Sequence, residues 1–400
     1  MRTILQPEWL VDGTGADAVR DHTVIVHGNQ IEAMTPVAAL TIEEDDTLIE
    51  LPGATLLPGL VNNHVHLVLP GDGTFFVPWL ETQSDADLAL RTAYNSQQSL
   101  RAGITTVRDC GGRGRIVIDV RNAQMAGLAG GARIIACGWP LTITGGHTRH
   151  FGGEVDGEEG VRRMVRRVVS SGADFVKLMA SGGGTPGSYS QYPSFSVAEL
   201  RAIVDEAHTF ERRVVAHCTS APATRNAIAA GVDMIEHAMF ITPDLNAKVE
   251  LEVVQRLADS GIPVTPTLQV DRDMIETLPA GPERERWQAR RQVHHEAVAA
   301  MHERGVPLLA GSDAGWRATA FATFWKELDE LVACGLSPVA AIHAATGAIS
   351  AALGQADAWG TIKAGQVADL LVVQGNVAAD IRCLAEVKLV YQGGQLVYQV

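Results

Sequence analysis

Apolar and polar positions alternate along this chain in two distinct rhythms. From about Glu158, Val161, Met164, Val165, Val168 and Val169 fall at i, i+3, i+4, i+7 and i+8, one apolar face of a helix. Gly172 suits the C′ position of that helix, and a short apolar run, Asp174-Phe175-Val176-Lys177, follows. Ser196-Val197-Ala198-Glu199 is a capping box that opens the next helix, with Leu200, Ile203, Val204 and Ala207 facing inward. The pattern then recurs as helix, glycine and strand at Gly231, Gly261 and Gly305, and earlier at Gly103. Strand-like segments fall near 59–66, 104–108, 133–137, 174–178, 213–217, 233–237, 262–267 and 306–313. Strands alternating with helices imply a parallel sheet.

The two ends follow the other rhythm. Thr23–Val26 is β-rich, and His27-Gly28-Asn29-Gln30 is turn chemistry; Asp369–Val373 and Leu389–Tyr391 match them, with turns at Gly375-Asn376 and Gly393-Gly394. The expected architecture is α/β: a (β/α)8 TIM-like barrel over 58–357, with a small β-sandwich domain built from 1–57 and 358–400. A length of 400 residues fits a barrel of about 250 residues plus a smaller unit.

Polar residues close the apolar runs. His64 and His66 lie two apart, so on a strand both imidazoles face one way. Lys177, His217, His237 and Asp313 each end a strand-like segment. Functional residues at the C-terminal ends of successive strands are the mark of a barrel enzyme. Singly, an HxH is a weak signal, His217 and His237 read as core residues, and Asp313 before Ala314-Gly315 reads as a turn. Together they include the residue types that bind first-row metals. Lys177 has two readings: a structural lysine paired with a carboxylate such as Asp109, or a neutral amine that takes up carbon dioxide as a bridging carbamate.

Composition narrows the class. A net charge of −14 argues against nucleic acid and anionic membranes as partners. Five scattered cysteines without a CxxC fit a reducing compartment. Neither a signal-peptide stretch nor a run of about 18 apolar residues occurs, so the expected protein is cytoplasmic, without membrane contact, acting on a small molecule and assembling as a homo-oligomer.

The segments NHVHL, GADFVKLMASGGG, VVAHC, GVDMIEHA and GSDAG together resemble the amidohydrolase superfamily, in its branch with a carboxylated lysine bridging two metals. The resemblance extends over nearly the whole chain, and GITTVRDCGG, GGH and IEHA are particularly like prolidase-type Xaa-dipeptidases. It implies two divalent ions, zinc first with manganese or iron as alternatives. His64, His66 and Asp313 would hold the buried ion, His217 and His237 the open one, and carboxylated Lys177 would bridge them. A metal-bridging hydroxide would attack the scissile carbonyl, with Asp313 moving its proton to the leaving amine and His147 holding the carbonyl or oxyanion. His147, His150, Thr219, Tyr192 and Arg317 are candidate substrate contacts.

One departure from the pattern is visible. Dipeptidase-like members commonly carry a carboxylate-binding tyrosine two residues after the His217 equivalent, and here that position is Thr219. Uncharged amides, carbamates and cyclic amides therefore stand beside dipeptides and N-acyl amino acids as expected substrates. The alternatives are a mononuclear heterocycle deaminase, a lactone or phosphoester hydrolase on the same site, and a non-catalytic scaffold. The deaminase would want a glutamate close behind His217, which VVAHCTSAP does not offer.

Overall fold

The computed structural model describes residues 2–400. Four strands, β1 (Thr3–Leu10), β2 (His22–His27), β3 (Gln30–Pro36) and β4 (Thr47–Pro58), open the chain. The central α/β region carries β5 (Leu60–Val65), β6 (Ile104–Asp109), β7 (Arg133–Ala136), β8 (Val176–Met179), β9 (Val214–Cys218), β10 (Met234–His237) and β11 (Val264–Thr265). β12 (Leu370–Gln374), β13 (Val387–Gln392) and β14 (Gln395–Gln399) close it.

Both chain ends enter one seven-stranded sheet in the order β14-β13-β12-β4-β1-β2-β3. β4 joins them: it runs parallel to β1 on one side and antiparallel to β12 on the other. The sheet has its own apolar cluster, which includes Leu5, Val24, Ile31, Leu56, Leu370 and Val372. The turn residues do as their sequence implies, with Gly28 at φ 61° and Gly393-Gly394 at 55° and 75°.

The central strands are parallel, in a three-stranded sheet β5-β6-β7 and a four-stranded sheet β11-β10-β9-β8. Backbone hydrogen bonds join the two sheets: Leu141 donates to the Lys177 carbonyl, and Met179 donates back to Leu141. The expected eighth strand, 306–313, does not form as a regular strand. It contacts its neighbours through two isolated parallel bridges, Val264–Leu308 and Val65–Ala314. Its ladder is interrupted because Pro307 has no N–H and because the Ser312 N–H is taken by the Asn62 side chain at 3.0 Å. Asp313 N–H still donates to the His64 carbonyl at 2.8 Å, which sets the two site residues side by side.

The strands are buried along their length, as parallel strands covered on both faces must be. Helices cover them with the predicted faces: Val161, Met164, Val165 and Val168 are buried in the helix Glu158–Ser170, and Gly172 has φ 94°. Ser196 and Glu199 form the reciprocal capping box of the helix Val197–Thr209. Among the described residues no helix is long and apolar enough to cross a membrane. All five cysteines are free.

Removing the capping hydroxyl of Ser196 leaves an orphan N–H at Glu199. Ser196→Ala should destabilise the protein by about 1 kcal/mol, read as a lower melting temperature with metal content unchanged.

Candidate metal centre

The site lies where the central strands end. His64 and His66 extend from the end of β5, Lys177 sits in β8, His217 in β9, His237 closes β10, and Asp313 follows the irregular eighth segment. All six are buried. They line a single cavity of about 150 Å³, together with His147 and Thr219. His64 and His237 ring centroids are 5.0 Å apart, His217 and His237 4.4 Å, and His147 and His217 4.7 Å.

A hydrogen-bond partner on one ring nitrogen fixes the tautomer of each imidazole. His64 Nδ1 donates to Glu236 Oε2 at 2.6 Å, and His66 Nδ1 donates to the Gly111 carbonyl at 2.7 Å. The Thr267 hydroxyl donates to the Pro266 carbonyl, so its oxygen accepts from His237 Nδ1 at 2.8 Å. His217 differs, because its Nε2 donates to the Gly182 carbonyl at 3.2 Å. Each ring therefore presents one unprotonated nitrogen: Nε2 in His64, His66 and His237, and Nδ1 in His217. A metal-ligating imidazole is usually oriented in this way, by an acceptor on its other nitrogen.

Desolvation keeps these rings neutral. It holds His66 down at about 4, and His64, His217 and His237 well below the usual imidazole range, with nearby positive charge adding to the effect. The same burial pushes the Asp313 carboxyl up to about 8. Asp313 Oδ1 lies 3.3 Å from His66 Nε2 and 3.5 Å from His64 Nε2, and these three donor atoms form a group compact enough for one ion.

Two buried polar atoms lack a hydrogen-bond partner here, Lys177 Nζ and Asp313 Oδ1. Leaving such groups unmatched costs several kcal/mol, about 1–3 for a neutral group and more for a charge. A divalent cation matches the carboxylate and the free imidazole nitrogens, so the residues present fit a metal centre. The pairing of Lys177 with Asp109 does not form. Asp109 instead accepts from the Leu67 and Gly111 N–H groups, and burial raises its carboxyl to about 7. A second compact group, His64, Cys110 and Glu236, fits a metal poorly. Burial holds the Cys110 thiol up at about 12, and Glu236 is committed to His64 and to the buried Arg108 guanidinium.

Backbone geometry at the site is unusual. His237, Thr267, Asp313 and Arg317 have φ of 71°, 59°, 58° and 55°, a left-handed conformation that costs side-chain-bearing residues about 1–3 kcal/mol each. Gly315, at φ 97°, could not be replaced freely, since a Cβ would stand 2.3 Å from the His66 carbonyl oxygen.

The remaining candidates separate. His147 Nδ1 is 2.8 Å from the Thr185 hydroxyl, and its ring packs on Gly183, where a Cβ would meet Nε2 at 2.6 Å. Thr219 lines the cavity, but its hydroxyl donates to the Ser190 carbonyl at 2.6 Å. Arg317 and Trp316 line the cavity too. His150 and Tyr192 do not: His150 faces Glu81 at 3.7 Å, and Tyr192 is exposed on the 181–195 loop. Cys218 is fully buried, as a core residue should be. Glu236 and Arg108 escaped sequence reasoning, although a charge inside each four- to six-residue buried run, MIEH and ITTVRD, was a signal. Gly111, Thr267 and Thr185 gave none.

The family model described as "Amidohydrolase family" matches residues 55–397. Ochratoxinase from Aspergillus niger is 28% identical over 376 residues, covering 85% of this chain and 75% of the relative. Its crystal structure aligns over 100% of this chain and 96% of that one at TM-score 0.85 and 26% identity. A Xaa-Pro dipeptidase with bound methionine in the active site aligns over the full length of both chains, at TM-score 0.89 and 28% identity. A metal-dependent hydrolase fold, with a cluster of neutral histidines at its strand ends, defines the class. The chain belongs to the amidohydrolase family. It is a hydrolase acting on carbon–nitrogen bonds of the amide type.

Glu236→Gln removes the anion that orients His64 and neutralises Arg108. Metal affinity should fall about 10- to 100-fold in chelator competition. Stability should drop by about 3–5 kcal/mol, because a buried guanidinium is left uncompensated.

Proposed function

We propose that this chain hydrolyses an amide bond of a small molecule at a binuclear metal centre. His64, His66 and Asp313 would hold one ion, His217 and His237 the other, and carboxylated Lys177 would bridge them. The observation that carries the reading is the Lys177 amine, fully buried without a partner among neutral imidazoles. An ammonium there would have no hydrogen-bond acceptor. Addition of the neutral amine to carbon dioxide, with loss of one proton, gives a carbamate that supplies the missing anion.

When bound, two divalent ions would supply Lewis acidity and an acidified water at the scissile carbonyl. Zinc suits nitrogen and oxygen donors with no redox demand, and manganese or iron remain alternatives. Asp313 would hold and pass a proton: Oδ1 faces the two histidines, leaving Oδ2 to receive a proton from the attacking water and return it to the leaving amine. With Nδ1 accepting from the Thr185 hydroxyl, His147 would carry its proton on Nε2 and donate it to the developing oxyanion. Thr219 would brace the 181–190 loop rather than touch substrate, since its hydroxyl is committed.

The finer architecture belongs to the same reading. The hydrogen bonds linking β7, β8 and β11 through the 306–314 segment back to β5 support a closed (β/α)8 barrel over 58–357. The terminal sheet, 1–57 with 358–400, would be the small β-sandwich. The structures of the Xaa-Pro dipeptidase with methionine and of ochratoxinase favour an amide of amino-acid type as substrate.

Elemental analysis of protein produced with zinc should give two ions per chain, and electron density should extend beyond Lys177 Nζ. One ion with an unmodified lysine would overturn the binuclear reading and favour a deaminase. Lys177→Ala and His217→Ala should each bind at least one ion fewer and lose amide hydrolysis. Full metal occupancy with activity in either variant would remove that residue from the centre.

A further inference from the structure

Resting on the proposed amide hydrolysis, we propose that Arg290 and Arg317 form the anion-recognising end of the substrate cavity. They would select amides whose leaving amine carries a free carboxylate. Both guanidinium side chains line the cavity that holds the six metal-centre residues, and they reach it from different elements. Arg290 lies on the helix Pro282–Glu303, and Arg317 follows Asp313 by four residues.

Arg317 is a half-buried cation without an ion-pair partner within 4.0 Å among the described residues. It sits between aromatic faces instead, 5.8 Å from the Phe75 centroid and 6.0 Å from that of Trp316. Burial lowers its affinity for its proton; the exposed Glu283 opposes this, and the like charge of Arg290 adds to it. Its left-handed backbone, φ 55°, aims the side chain at the cavity at a conformational cost. A desolvated guanidinium gains most from a planar anion held by two N–H groups.

Arg290 is positioned rather than free. Its Nε lies 3.0 Å from Asp271 Oδ1, with the N–H misaligned for a hydrogen bond, and its guanidinium covers the Trp287 ring at 4.2 Å. Asp271 is fully buried, and its other oxygen meets His294 Nδ1 at 2.9 Å. His294 Nε2 in turn lies 3.2 Å from the backbone carbonyl of His237. A continuous polar chain therefore ties Arg290 to the backbone of a proposed metal ligand, which fixes the distance between anion and scissile bond. One carboxylate, Asp271, faces both Arg290 and His294, and Arg317 has no carboxylate within ion-pair distance among the described residues. Met179, Met239, Ile241 and Val270 supply the apolar wall that a side chain beside the carboxylate would need. Thr219, at the position where a tyrosine could have bound that anion, has its hydroxyl turned to Ser190.

The test uses the zinc-loaded full chain and two amides that differ only by the carboxylate, N-acetyl-L-phenylalanine and N-acetylphenethylamine. The wild type should favour the acid by at least about tenfold in kcat/KM, the worth of one charge-assisted hydrogen bond. That preference should collapse toward unity in Arg317→Met, through KM rather than kcat. Arg290→Met should lose it as well, and Arg290→Lys should restore part of it with metal content unchanged. Equal turnover of the two compounds by the wild type, or a preference kept in both methionine variants, would overturn the proposal. If neither compound is cleaved by protein with full metal, the amide reading is at fault, and calorimetric binding decides the anion subsite. Binding of the acid alone, lost in Arg317→Met, would uphold it, and equal binding of both compounds would overturn it.

Discussion

The structure turns on the burial of a lysine amine and a carboxylate among four imidazoles. Lys177 and Asp313 are buried at the strand ends, and each keeps a polar atom without a partner. In a low-dielectric setting each such atom is costly, so the surroundings must either neutralise it or be completed by an ion. Everything nearby acts to hold that arrangement open rather than to relieve it. Asp109, the carboxylate that could have paired with Lys177, is instead occupied by two backbone N–H groups. The left-handed backbones of His237 and Asp313 keep both side chains aimed inward, although strand continuation would have turned them elsewhere.

Beneath the centre, the interior of the parallel sheets is not simply oily. Arg108 reaches across it to Glu236, stacks on Phe175 at 5.0 Å, and donates to the Asn63 carbonyl at 2.9 Å. Glu236 then accepts from His64. One carboxylate thus serves two purposes: it balances a guanidinium and selects the tautomer of a proposed ligand. Apolar residues of similar size would be at least as stabilising in such a place. What the ion pair adds there beyond packing is its effect on the orientation of His64.

The sequence made the periodic part of this plain. Strand ends near His64, His217 and His237 follow from apolar runs stopped by a polar residue, whereas β8 runs on past Lys177 to Met179, and helix faces such as that of Val161 to Val168 follow from spacing alone. The eighth strand was foreseen as regular and is not, because Pro307 and the Asn62 side chain intervene, and the latter contact spans the whole central region in sequence. The same distance in sequence hid the residues that orient the imidazoles. Thr267 matters because its hydroxyl is turned by the Pro266 carbonyl, and Thr185 because it meets His147 from another loop; neither fact has a local pattern. His150 and Tyr192 looked close to the site in sequence, yet their loops carry them away from the cavity.

The contrast between Thr219 and Arg317 bears on how specificity is divided within this fold. A residue on a strand end is held by the ladder, so replacing it alters what the site can bind without moving its neighbours. Here the hydroxyl of Thr219 is drawn into bonds with the 181–190 loop, which stiffens one wall of the cavity. Under the proposal made above, recognition would pass to side chains that arrive from outside the sheet, Arg290 from a long helix and Arg317 from the turn after Asp313. Such residues are free to vary without disturbing the strands that carry the chemistry. Arg290 nonetheless stays in register with the centre, because Asp271 and His294 connect it to the carbonyl of His237. A helix-borne contact anchored in this way combines reach from outside the sheet with the precision of a strand position, since its rotamer is held by packing and by a buried partner.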